Sequence, residues 1–304
     1  YATNSEDPRI QSWVARVNRI DSIRSRDFHI EQVAGDDKTV DVVVEIFNRV
    51  NSGGTKLSKG DLALAKICAE WPDARDRMNG LLEKWAAQGF GGFTLYSLLR
   101  GGNGVLTRRA PFSALTEITP EQFRDGLTRA AQAVDTVLNA LAGRLGINSG
   151  SVLPATFPLV ILARFVDRNG GTFGDHQQRD RLLYWYIHAS MWGRYAGSTE
   201  TVLAQDLQHL SGSHGDPTEG LLSHIRQTRG DLTVRPGDFW AWSRGARFFP
   251  ILYMLTRVLE AKDWASGVPL SKTSLGGAAN LDVHHIFPKS LLYEAGHSRP
   301  EVNA

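Results

Sequence analysis

Apolar residues recur at helical spacing along most of this chain. Ile10, Trp13, Val14, Val17 and Ile20 mark one face of a helix over 7–25, after which Phe28, His29, Ile30 and Val33 read as a short strand. Val43, Ile46, Phe47 and Val50 share a face over 39–50, and Asn51-Ser52-Gly53-Gly54 supplies a C-terminal stop. Ser58 with Asp61 has the form of a capping box opening a helix through Leu62, Ala65 and Cys68. The same periodicity predicts helices over 71–87, 120–145, 153–167, 179–192, 199–210, 217–227 and 246–261. Glycine clusters predict loops at 89–92, 101–104, 148–150, 169–171 and 276–277. The helical pattern fades in the small, polar stretch 267–279, a candidate domain boundary, and Leu281-Asp282-Val283 beyond it reads as a strand.

Composition narrows the class. With 304 residues, 42% of them hydrophobic and 22% charged, the chain can bury a sizeable core. Prolines and arginines interrupt the longest apolar stretches, 151–166 and 248–259, well short of a membrane span. The start lacks the basic and apolar segments of a secretory signal, which predicts a cytoplasmic protein. Cys68 stands alone, which excludes an intrachain disulfide and a cysteine-pair zinc site. A net charge of +2 leaves DNA binding to a local basic surface. Arg226, Arg229, Arg235, Arg244 and Arg247, interleaved with Phe239, Trp240 and Trp242, form one such candidate; a solvated loop with buried tryptophans is the other reading. The stripe Tyr184, His188, Met191, Trp192 and Tyr195 has the spacing of a packed core face, with His188 as a hydrogen-bonded core residue.

The chemistry-bearing segment follows the boundary. In Asp282-Val283-His284-His285-Ile286-Phe287-Pro288-Lys289 a strand-like approach leads into paired imidazoles. An imidazole that is neutral near physiological pH can take a proton from water while a cation stabilises charge on a phosphate. The bland alternative is a surface histidine pair at a strand end. The segment resembles the opening of an HNH nuclease of the ββα-metal class. That resemblance implies His285 as general base, His284 as ligand to a divalent metal (Mg²⁺ or Mn²⁺), and Asn303 as the middle Asn that orients the loop and the base. The family's last motif residue would lie beyond Ala304, so the chain reads as a fragment.

A second resemblance covers most of the remainder. Phe47-Asn48-Arg49-Val50-Asn51-Ser52-Gly53-Gly54 is similar to the Phe-x-Arg-x-Asn-x-Gly-Gly signature of the GmrS-type domain, which precedes a GmrD-type HNH domain in modification-dependent restriction endonucleases of the GmrSD type. Tyr184-Trp185 through Gly193-Arg194-Tyr195 to Asp206, and Phe249 through Asp263-Trp264, also look like that family. The resemblance implies a mainly α chain: residues 1–266 as the helical part of an α+β GmrS-type domain (ParB/sulfiredoxin-like), and 267–304 as the incomplete beginning of the HNH domain. It further implies NTP regulation (GTP, UTP or ATP), modified phage DNA as partner, no membrane, and a homo-oligomer left open. The family's Asp-Gly-Gln-Gln-Arg motif is missing from this sequence, which puts nucleotide hydrolysis in question. In physical terms Arg49, Asn51, Gly53, Gly54 and Lys56 can form an anion-facing loop, or the glycines can simply cap one helix before Ser58 begins the next. The rival to a nuclease is a non-catalytic DNA- or partner-binding regulator that keeps an HNH remnant.

Overall fold

The computed structural model describes residues 7–27, 58–212, 216–239, 247–264, 267–270 and 288–303, together with isolated positions between 30 and 49. The chain divides into two compact units, Tyr1–Lys56 and Leu57–Ala304. The protein is mainly helical, and among the described residues the only β pairing is an isolated bridge between Lys262 and Pro269.

In the first unit, α1 (Pro8–Asp21) starts where Asp7 accepts from the Arg9 N–H and Pro8 sits at the helix start. None of its residues is buried, and the Arg16 guanidinium lies 5.2 Å from the Trp13 ring centre. Val42, Ile46 and Arg49 are helical, one face of the helix predicted over 39–50. Most of the strand predicted at 28–33, and the one at 281–283, lie outside the described residues.

The helices of the second unit are, in order, α2 (Lys59–Glu70), α3 (Ala74–Ala87), α4 (Leu95–Leu106), α5 (Pro120–Leu145), α6 (Phe157–Arg168), α7 (His176–Met191), α8 (Thr199–Gly212), α9 (Pro217–Arg229) and α10 (Phe249–Val258). Two short helices, α11 (Lys289–Glu294) and α12 (Arg299–Asn303), come last. A 3-10 turn (Phe112–Glu117) packs on α2.

The caps explain the bounds. Ser58 and Asp61 form the expected capping box at α2. Thr119 with Gln122 caps α5, which ends at Gly146 in the left-handed conformation (φ 64°), so that helix spans the 120–145 that its pattern predicts. α6 begins at Phe157 rather than near 153, because Pro158 fits only the first turn of a helix. Every residue of α6 from Pro158 to Val166 is buried, making it the central helix, wrapped by α4, α5, α7 and α8.

One expectation is overturned. Gly101-Gly102-Asn103-Gly104, predicted as a loop, lies inside α4. Gly104 is there for packing: a Cβ on it would come within 2.5 Å of Val160 Cγ1 on α6. Asn103, fully buried, donates from Nδ2 to the carbonyls of Arg109, Ala110 and Pro111 at 2.8, 3.1 and 3.0 Å and accepts from the Thr107 hydroxyl at 2.8 Å. It thereby ties the chain after α4 back onto that helix.

Candidate functional site

Most of the site residues anticipated from sequence lie outside the described residues: His284, His285, Asn51, Gly53, Gly54 and Lys56. Arg49 is helical and exposed. Asn303 ends α12, its side chain outside the described set. Immediately after the paired histidines, Pro288 begins α11, and Ser298 opens α12 with its N–H and hydroxyl donating to Glu301 Oε2 at 2.8 and 2.6 Å.

The described residues do assemble one polar constellation, built from the Gly193-Arg194-Tyr195 to Asp206 stretch. α7 ends at Met191. Gly193 then takes a left-handed turn (φ 63°), and the Arg194 N–H bonds back to the Ala189 carbonyl at 2.9 Å. This reversal points Arg194 and Tyr195 toward α8, where Asp206 has no solvent exposure. Asp206 accepts from Arg194 Nε and Nη2 at 2.8 and 2.6 Å, from the Tyr195 hydroxyl at 2.6 Å, and lies 2.9 Å from His224 Nδ1 on α9. A buried carboxylate is tolerated only when so matched.

The electrostatics follow from that burial. Burial works against the Arg194 charge, but the hydrogen bonds and charge of Asp206 outweigh it and hold the guanidinium above its usual range. The Tyr195 hydroxyl is pushed well above the ordinary tyrosine value, first by burial and then by the Asp206 charge. Arg194 Nη2 also lies 3.2 Å from His224 Nδ1. The shorter contact and the carboxylate charge favour Nδ1–H donating to Asp206, which leaves Nε2 as the free end of the ring.

Arg194 and His224 line an open cleft of about 720 Å³ between α8 and α9, together with Gln205, Gln208, His209 and Gln227. His209 is seated directly on Gly220, where a Cβ would overlap its ring, and its ring centre is 5.5 Å from that of His224 at 71°. In a larger cleft, about 950 Å³ between α3 and α5, Lys84 bonds Asp135 at 2.6 Å and Arg124 covers the Trp71 ring at 4.8 Å.

The aromatic stripe of α7 is largely core: His188, Met191 and Tyr195 are buried, and His188 Nδ1 accepts from Trp192 Nε1 at 3.1 Å. Tyr184 departs from that pattern, being 46% exposed while its ring lies tilted against His188, with centres 4.3 Å apart at 59°. In the arginine-rich segment, Arg226 pairs with Glu219 at 2.5 Å, Arg229 with Asp238 at 3.1 Å and Arg235 with Asp231 at 2.6 Å. Arg229 also covers Trp192 at 4.1 Å, and Phe239 packs on Phe248. Acidic partners thus offset much of the positive surface expected there; Trp240, Trp242 and Arg244 lie outside the described residues.

Sequence reasoning marked Arg194, Tyr195 and Asp206 only as part of a resemblance and passed over His209 and His224. A histidine in the middle of an amphipathic helix carries no signal of its own; the buried aspartate that orients it is 18 residues away. No family model matches the chain, and no curated protein matches it.

Proposed function

We propose that this chain is a component of a modification-dependent DNA endonuclease of the GmrSD type, acting in phage defence and regulated by NTP. The observation that carries the reading is the order Asp282-Val283-His284-His285-Ile286-Phe287-Pro288 with Asn303 downstream. Two features of the fold agree with it: the mainly helical body that precedes the motif, and a helix beginning straight after Pro288. The gathering of Arg194 and Tyr195 on Asp206 gives a physical reason for a sequence stretch that also resembles the family.

In this reading His285 takes a proton on an imidazole nitrogen from the water that attacks the scissile phosphodiester. Asn303 holds the loop that carries His285. His284 would hold a divalent ion, magnesium or manganese, whose charge would stabilise that developing on the phosphate; a donor set of imidazole and oxygen with no thiolate suits those ions. Modified DNA is the substrate, and Asn51, Gly53, Gly54 and Lys56 form an anion-facing loop for the nucleotide, to which Arg49 on the preceding helix adds positive charge.

The test is cleavage of modified and unmodified phage DNA by the full-length protein with Mg²⁺ or Mn²⁺, with and without NTP, beside His285→Ala. Metal-dependent cutting of modified DNA that the substitution abolishes supports the reading. DNA binding without cutting under every condition replaces it with a non-catalytic regulator.

A further inference from the structure

We propose that the cleft between α8 and α9 binds a phosphate group through Arg194 Nη1 and His224 Nε2. Asp206 takes two of the three guanidinium nitrogens of Arg194 and one nitrogen of His224. Among the described residues the remaining nitrogens, Nη1 and Nε2, have no protein partner, and both side chains line the cleft. One guanidinium and one imidazole, on different elements, are therefore both oriented by one carboxylate. Asp206 itself is shut away from the cleft.

The arrangement is preorganised. Both side chains are held before a ligand arrives, so little ordering entropy remains to be lost on binding. When the ring carries both protons, Nδ1–H donates to Asp206 and Nε2–H to the ligand. Arg194 supplies a second, charge-assisted hydrogen bond. A tetrahedral oxyanion accepts from both at once. Gln205, Gln208 and Gln227 on the rim offer amide donors and acceptors to whatever carries the phosphate.

A metal does not suit the same groups. His209 is the nearest second imidazole, and its ring is turned onto Gly220 rather than toward a point shared with His224. Among the described residues no group of three or more metal-ligating side chains is present.

The phosphate can be a free ion or part of a nucleotide or nucleic acid, and the experiment separates these sources without involving cleavage, so it stands apart from the nuclease reading. The full chain, labelled in its histidine rings, is titrated with inorganic phosphate while the His224 imidazole resonance is followed by NMR. Parallel arms use one short oligodeoxynucleotide with a 5′-phosphate and with a 5′-hydroxyl. A saturable shift of the His224 ring is expected. His224→Asn, which keeps a donor at the Nδ1 position, is expected to bind phosphate about tenfold more weakly at an unchanged melting temperature. Gln208→Glu, at an exposed position on the rim, places a carboxylate in the cleft and serves if the first variant fails to fold; it too is expected to weaken binding. A preference for the 5′-phosphorylated oligonucleotide over inorganic phosphate identifies a terminal nucleotide phosphate, equal binding of both oligonucleotides identifies the backbone, and inorganic phosphate alone identifies the free ion. No saturable shift, an equal response to chloride at matched ionic strength, or unchanged affinity in both variants overturns the proposal.

Discussion

Two buried polar residues carry more of this fold than their number suggests. Asp206 serves three side chains at once, so its removal strands the Arg194 charge, the Tyr195 hydroxyl and His224 together. Asp206→Ala is expected to destabilise the protein by about 3–5 kcal/mol. Tyr195→Phe, which deletes one donor to the carboxylate, is expected to cost about 1.5–3 kcal/mol. Urea denaturation of both variants measures the contrast; equal losses would mean that the carboxylate is not the hub. His188 makes a different prediction. Burial first, and then the nearby Arg226 charge, lowers its pKa, and the Trp192 bond needs an unprotonated Nδ1. A histidine depressed in the folded state binds its proton more readily when unfolded. The contribution of His188 is therefore present above the ordinary histidine pKa of about 6.5 and is lost as pH falls through that region. His188→Asn, which keeps an acceptor near the Nδ1 position, is expected to show a shallower loss of stability between pH 7 and 5 than the wild type, measured as the shift in urea midpoint.

At the level of elements, a helix was legible where its ends are written in side chains and illegible where glycine serves packing. α5 is bounded by a Thr119–Gln122 box and a left-handed Gly146, both local devices, and its limits could be read directly. α4 contains three glycines in four residues, a loop signature by composition, yet it is helical, and at Gly104 α6 lies too close for a side chain. That proximity is a tertiary fact, invisible to local pattern. Substituting alanine along this stretch separates the two roles of glycine. Gly104→Ala drives a methyl into Val160 and is expected to cost about 1–3 kcal/mol. Gly101→Ala meets nothing within 4 Å and is expected to stabilise by up to about 1 kcal/mol through helix propensity alone. Thermal unfolding of the pair should move in opposite directions; a loss of stability in both would show that α4 rejects any side chain there.

Across the whole molecule, the class of fold was readable and the constellation on Asp206 was not. Period-3.6 stripes identify α5 to α9 because each buries one face or more, and no helix among the described residues is long and apolar enough to cross a membrane. His224 and Arg194 meet only because a left-handed turn and two helices converge on one carboxylate, a relation that spacing along the chain does not encode. The same close packing sets how the whole protein responds to alkali. Tyr186 and Tyr195 are both buried, and desolvation, the largest cause in each, raises their hydroxyls above the ordinary tyrosine value; Tyr186 also donates to the Ala155 carbonyl at 2.9 Å. Unfolding releases both to ionise at about pH 10, so the unfolded state binds fewer protons than the folded one above that point. Their contribution is complete below pH 10 and is lost as pH climbs beyond it, at about 1.4 kcal/mol per pH unit for each tyrosine. Tyr253, raised by its partial burial, adds to the same trend. Urea unfolding at steps between pH 9 and 11.5 should therefore show stability falling with a slope of at least about 2.7 kcal/mol per unit at its steepest. Tyr186→Phe should remove roughly half of the share due to the two fully buried tyrosines. An unchanged slope in that variant would mean that Tyr186 ionises in the folded protein as readily as in the unfolded chain, and that the core around α6 and α7 is open to water.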